Sequence, residues 1–318
     1  MHTDATIQHA AKLLEDGAVV AFPTETVYGL GADATNPRAV EKIFEIKQRP
    51  ADHPLIVHIR GAEDLSRWSS NVSQTAYELA QHFWPGPLTL ILSGSLAHAC
   101  ITGGQPSIGL RAPRHPVAQS LIDALGKGIA APSANRFGKI SPTRAEHVFD
   151  ELGTSVDLIL EGGDCEVGLE STILSLVSDR PCILRPGAVS KTEIEEFLKA
   201  PVDAITRPEG IRASGLLDSH YAPNIPLRLM SFEALSEFKP QEHQSIAVMR
   251  HSQTQLDWPS MEMSMPLNAV DYGKKLYAAL RQLDRGPFDL LIAETPPPGE
   301  SWTAILDRLT RASHDSMS

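Results

Sequence analysis

Short apolar runs alternate with amphipathic helical segments from residue 5 to about residue 200, and the alternation resumes after a proline-rich break. Such a pattern commits the chain to α/β layers, since each strand and helix must bury its apolar side against a neighbour. Ile7, Ala10, Ala11 and Leu14 recur at helical spacing before Gly17, and the apolar run at 18–22 predicts a buried strand that stops at Pro23. Asn36-Pro37 places a capping side chain and a proline where a helix begins. That helix carries Val40, Ile43, Phe44 and Lys47 and ends at Arg49-Pro50. The same reasoning predicts strands at 55–59, 88–92, 107–111, 129–131, 158–160, 172–177 and 183–184. Helices are predicted through Ala76–Phe83, 116–125, Ala145–Leu152 and Ser190–Leu198, the last with a Ser190/Glu193 capping box. Residues 93–105 read as a loop.

The stretch 201–226 holds four prolines and little periodicity, and reads as a linker. Beyond it, strands at 227–230, 246–249 and 288–293 and helices at 270–283 and 303–309 predict a small α/β domain. The expected organisation is therefore a domain over 1–200, a linker over 201–226 and a second domain over 227–318.

A net charge of −11 argues against a protein that grips nucleic acid by its phosphates. Positive charge must be concentrated locally if an anion is bound. Three cysteines, widely spaced and without a C-x-x-C, fit a reducing compartment and neither a disulfide scaffold nor a zinc site. With no leader-like N-terminus and no run of membrane-spanning length, the expected location is cytoplasmic, with no membrane partner.

Neither a P-loop nor a G-x-G-x-x-G after a strand is present, so side chains and other loops must hold any nucleotide. Lys47 and Arg49 flank one residue at a helix end; they are either two solvated cations or a pair presented to phosphate. Along 107–111, Ser107, Gly109 and Arg111 share one face and Ile108 and Leu110 the other. That strand is either an edge with a wet face or a carboxylate or phosphate clamp. Residues 131–135, Ala-Pro-Ser-Ala-Asn, follow a strand end, where α/β folds bind ligands, but also suit a plain turn. His58 alternates with apolar residues, as a packed histidine or a ligand contact. The Thr-Glu-Thr of 24–26 offers hydroxyls just past the first strand.

In order, the motifs are Phe22-Pro-Thr-Glu-Thr-Val-Tyr-Gly-Leu-Gly31, Lys47-x-Arg49-Pro, Pro54-Leu-Ile-Val-His58, Trp84-Pro-Gly-Pro-Leu-Thr89, Arg111-x-Pro113, Pro132-Ser-Ala-Asn135, Ser141-Pro-Thr143, Glu170-Ser-Thr172 and Leu184-Arg-Pro-Gly187. This series, with His220-Tyr-Ala-Pro223 and a small domain behind it, resembles the YrdC-like family in its long, two-domain form. The resemblance implies a twisted mixed sheet with flanking helices and an open cavity, plus a small Rossmann-like domain. It implies condensation of L-threonine, bicarbonate and ATP to threonylcarbamoyl-adenylate and pyrophosphate, with Mg²⁺ accompanying ATP and no metal ligated by the protein. A partner transferase would carry the group on to tRNA. Lys47, Arg49, Ser133 and Asn135 would be catalytic. Thr26, His58, Arg111, Ala131 and Ser171 would hold threonine. Arg49, His53, Ser107, Ser133, Ser141, Arg185 and Tyr221 would hold ATP, Tyr221 as a lid. His53 stands where the family usually has Asn, and Asp218 and Ser219 replace an aromatic and a cation. A non-catalytic RNA-binding or ribosome-assembly module is the alternative.

Overall fold

A computed structural model describes residues 4–204, 211–215, 217, 219–252, 256–258 and 261–314. They fall into two compact units, Met1–Phe137 with Pro142–Leu216, and Gly138–Ser141 with Leu217–Ser318. The short stretch Gly138–Ser141 therefore groups with the second unit although it lies within the first in sequence.

The first unit is built on a ten-stranded mixed sheet. Its strands are β1 (Val20–Phe22), β2 (Gly29–Asp33), β3 (Ile56–His58), β4 (Leu88–Ser93), β5 (Ser107–Arg111), β6 (Ile129–Ala130), β7 (Leu158–Ile159), β8 (Thr172–Ser175), β9 (Cys182–Arg185) and β10 (Asp203–Ala204), in the order β10-β9-β8-β4-β5-β3-β6-β2-β1-β7. Its helices are α1 (Asp4–Glu15), α2 (Pro37–Lys47), α3 (Leu65–Trp68), α4 (Gln74–Phe83), α5 (Ala99–Thr102), α6 (Pro116–Leu125), α7 (Ala145–Leu152) and α8 (Lys191–Leu198). Side-chain alternation sends Val57, Leu90, Leu110 and Leu174 to one face, where Val40 and Ile43 of α2 and Leu79 of α4 meet them. On the opposite face Val20, Phe22 and Ile129 pack against Ile7 and Leu14 of α1 and Leu121 of α6. These two helices cover only the part around β1 and β6. Over β4, β8 and β9 that face keeps a small cluster of Ile91, Ile173 and Leu184, with buried polar residues such as Thr89, Ser107 and Ser171 beside it.

The local signals work as expected where they are strong. Asn36 caps α2 through Ala39 N–H with Pro37 in the first turn, and the Ser190–Glu193 box opens α8. Strand β2 lies in a stretch read only as a motif, because Gly-Leu-Gly-Ala-Asp has no β-branched residue. It pairs there because Gly31 admits close packing: a Cβ would stand 2.7 Å from Phe22 Cε1 and 2.8 Å from Ile129 Cγ2. The 93–105 stretch is not all loop, since α5 interrupts it.

The second unit is a four-stranded, all-parallel sheet of β11 (Leu227–Met230), β12 (Ile246–Arg250), β13 (Met261–Ser264) and β14 (Leu290–Glu294), in the order β11-β14-β12-β13. Helices α9 (Phe232–Glu237), α10 (Ala269–Asp284) and α11 (Thr303–Ala312) accompany it. Ile246, Val248, Leu290 and Ile292 form one buried face with Leu235 of α9. Neither β13 nor α9 was legible: both are short, and β13 is largely exposed, so neither carries a burial pattern.

Candidate active site

The polar part of the first unit's sheet gathers most of the expected residues. β3 and β5 run parallel with His58 opposite Arg111, and Ile56 opposite Gly109. Arg111 is only 4% exposed. Its Nη2 lies 2.8 Å from Glu25 Oε1, its Nη1 donates to Thr26 Oγ1 at 2.9 Å, and its Nε donates to the Gly86 carbonyl at 3.2 Å. Glu25, 1% exposed, is itself fixed by the Arg114 N–H at 3.0 Å. Further N–H groups on Nη1 and Nη2 remain for a ligand, so the guanidinium is aimed before one arrives. Thr26 is placed by the turn that Thr24 closes, with its hydroxyl 2.8 Å from that of Thr26 and donating to Val27 O at 2.6 Å.

His58 is buried, with its ring edge-on to Phe22 at 5.9 Å. Among the described residues its Nδ1 has no hydrogen-bond partner. Burial, and then the Arg111 charge, pull its pKa down to about 3. It is a neutral imidazole at physiological pH.

Lys47 and Arg49 are not solvated. Gln48, in the left-handed region at φ 54°, stops α2 sharply and Lys47 turns inward, 1% exposed. Its Nζ donates to Ser133 O at 2.5 Å and to Asn135 O, so it clamps the loop after β6. Burial, and then Arg49, lower its pKa well below the usual lysine value, while the two carbonyls favour the ammonium. Arg49 reaches Pro54 O at 3.0 Å and Ser214 Oγ at 3.2 Å and lies over the Phe137 ring at 5.4 Å. His53 packs edge-on to Phe137 at 5.1 Å, and burial followed by Arg49 lowers its pKa.

Ser171 shares a 2.8 Å hydrogen bond with Thr89 and accepts from Arg185 Nη2 at 3.2 Å. Arg185 also donates to Ser171 O and to Ser214 O. A small cleft opens here, lined by Thr89, Ser107, Gly109, Ile173 and Ser214 among others. β5 is thus an interior strand, flanked by β4 and β3, and not a wet edge. The Ala131 N–H is spent on Ile56 O at 3.0 Å, which leaves its carbonyl. Two expected nucleotide contacts belong to the second unit. Ser141 lies in the segment that groups there, and its carbonyl accepts from Arg281 Nε at 3.5 Å. Tyr221 is buried, stacked on Tyr277 at 5.8 Å with Arg308 5.2 Å from its ring.

Glu25, which holds Arg111, was not among the expected site residues. Its signal was present: it is the one charged side chain within the otherwise uncharged run from 17 to 32. A buried carboxylate needs a cation, and the cation had already been picked out as Arg111.

Fold and site together define a two-unit α/β protein whose first unit presents buried cations, hydroxyls and a neutral histidine on the open part of its sheet. The sequence profile of the Sua5–YciO–YrdC family, described as "Telomere recombination", matches residues 12–187. That of the Sua5 C-terminal family, "Threonylcarbamoyl-AMP synthase, C-terminal domain", matches residues 189–314. The chain belongs to the Sua5 branch of this family. The threonylcarbamoyl-AMP synthase of Bacillus subtilis (strain 168) is 39% identical over 97% of this chain and 93% of its own length. That of Pyrococcus abyssi is 37% identical over 96% and 94%. The crystal structure of P. abyssi Sua5 complexed with L-threonine superposes with a TM-score of 0.90 at 35% identity, covering 98% of this chain and 95% of that one.

Proposed function

We propose that this chain condenses L-threonine, bicarbonate and ATP into threonylcarbamoyl-AMP and pyrophosphate, for onward transfer to tRNA by a partner enzyme. The observation that carries the reading is the Glu25–Arg111–Thr26 constellation beside neutral His58, in a chain this similar over its length to synthases. The threonine carboxylate pairs with Arg111 and its polar groups meet Thr26, His58, the Ala131 carbonyl and Ser171. The amine nitrogen adds to the carbon of bicarbonate with loss of water, giving a carbamate. A carbamate oxygen then attacks the α-phosphorus of ATP, and the bond between that phosphorus and the α,β-bridging oxygen breaks, so that the β- and γ-phosphates leave together as pyrophosphate.

No covalent enzyme intermediate is needed, so the chain's task is placement and charge. Arg49 and Arg185, with Ser107, Ser133 and Asn135, face the nucleotide's phosphates, and Lys47 acts through the loop it clamps. His53, Ser141 and Tyr221 complete the ATP set. Mg²⁺ would accompany ATP as an ion carried on the triphosphate, as the family resemblance implies. No helix among the described residues is long and apolar enough to cross a membrane, and we place the activity in the cytoplasm. A charge of −11 disfavours a module that merely holds RNA. The test is pyrophosphate release with threonine and bicarbonate omitted in turn. Release should need both; release indifferent to either omission refutes the reaction.

A further inference from the structure

The second unit has a feature that the synthase reaction does not use. In its parallel sheet, β12 and β14 are neighbours, but the chain leaves their carboxyl ends in opposite directions. From β12 it goes to β13, on the side away from β14; from β14 it goes to α11, which packs against β11. Such a divergence at the strands' carboxyl ends marks the place where doubly wound sheets take ligands.

The residues at that point are His251 and Ser252 after β12, Glu294 closing β14, Tyr272 in α10 and Trp302 before α11. Glu294 is 2% exposed. Its Oε2 accepts the N–H groups of His251 and Ser252, each at 2.9 Å, and lies 3.4 Å from His251 Nδ1 without a hydrogen bond forming. All its contacts among the described residues fall on Oε2, which leaves Oε1 free. Tyr272 is 0% exposed and its hydroxyl has no partner among the described residues. The nearby cation, Arg250, is taken by Glu262 through Nε at 2.7 Å. The rings of Tyr272, Trp302 and His251 stand 5.5 to 6.5 Å apart and wall the cluster.

The cluster therefore keeps a carboxylate oxygen, Glu294 Oε1, and a hydroxyl, Tyr272 Oη, without hydrogen-bond partners among the described residues, and the Glu294 carboxylate has no cation paired with it by hydrogen bond. An unmet buried hydroxyl such as that of Tyr272 is unfavourable. A phosphate or carboxylate would be repelled. A primary ammonium group supplies three N–H donors and the missing positive charge, and aromatic walls favour it further. Burial and Glu294 push the Tyr272 pKa up, so its oxygen stays a neutral hydroxyl able to accept. We propose that this side-chain cluster at the carboxyl ends of β12 and β14 is a second binding site, distinct from the synthase centre, for a small organic ligand bearing a primary ammonium group.

The test uses the full chain with indole-labelled tryptophan, the Trp302 signal being assigned with Trp302→Phe. Ethylammonium, tetraethylammonium and potassium chlorides are titrated at matched ionic strength. Ethylammonium should shift the Trp302 signal saturably, and the other two, which lack N–H donors, should not. No shift with any of them, or equal shifts with all three, overturns the proposal. Tyr272→Phe removes only the hydroxyl. It should weaken ethylammonium binding by about tenfold while leaving the melting temperature unchanged or raised, since an unmet buried hydroxyl is lost. Glu294→Gln, which can still accept from the two backbone N–H groups, should abolish the shift. Unaltered binding in both variants contradicts the site.

Discussion

At the scale of single residues, the centre of the account is Arg111 and the acid that holds it. A guanidinium fixed by Glu25, Thr26 and Gly86 is charged, desolvated and oriented before substrate binds, so little entropy is left to lose. Arg111→Ala should raise the threonine KM by about 100-fold, or ~3 kcal/mol, with far less effect on ATP. Glu25→Gln keeps the shape and removes the charge. It should raise the threonine KM by about tenfold with kcat and the ATP KM less affected, and Glu25→Asp should recover part of the loss. Equal losses for both substrates in steady-state kinetics would reject the positioning role. His58 carries a pH signature. Its folded pKa, about 3, lies below the unfolded value near 6.5, so the unfolded chain binds more protons in between. Its contribution to stability is whole above about pH 6.5 and drains away as pH falls toward 3. Thermal melts across that window should show a weaker loss for His58→Gln than for the wild type. The chemistry of Lys47, Arg49, Ser133 and Asn135 could be suspected from residue type and order; that Lys47 faces carbonyls could not, because the left-handed Gln48 that turns it inward has no sequence mark.

At the scale of elements, the site exists because α1 and α6 cover only part of one sheet face. The alternation of Ser107, Gly109 and Arg111 against Ile108 and Leu110 was legible, since period two is fixed by the backbone. So were α2, α6 and α8, whose caps are chemical signals. Strand order was not, because it depends on pairings between residues far apart in the chain. The neighbours β3 and β6 are an example, with Val57 paired to Ala130. The end of α2 acts through the loop after β6. Lys47→Met retains length and apolar stem but releases the Ser133 and Asn135 carbonyls. It should leave the circular dichroism of the folded chain in place and reduce adenylate formation by at least about 100-fold. Retained activity would mean that the clamp is only structural.

At the scale of the whole molecule, this acidic chain buries four cations in the unit that we propose handles the anionic substrates. Lys47, Arg49, Arg111 and Arg185 are all buried in the first unit. Two domains were readable from the sequence pattern, but the stretch 201–226 is not a separate linker: Asp203–Ala204 pair with β9, and the units divide between Leu216 and Leu217. That Gly138–Ser141 groups with the second unit was not readable, since four residues leave no compositional trace. Tyr221→Ala should weaken ATP retention, measured by calorimetry, because the ring carries the nucleotide role assigned above; wild-type affinity would remove Tyr221 from the ATP set. The most direct measurement follows the carbon. With radiolabelled bicarbonate, the account predicts that label enters an adenylate only when threonine and ATP are both present, and that Arg111→Ala abolishes this at threonine levels that saturate the wild type. Label appearing in adenylate without threonine, or none appearing with all three substrates, contradicts it.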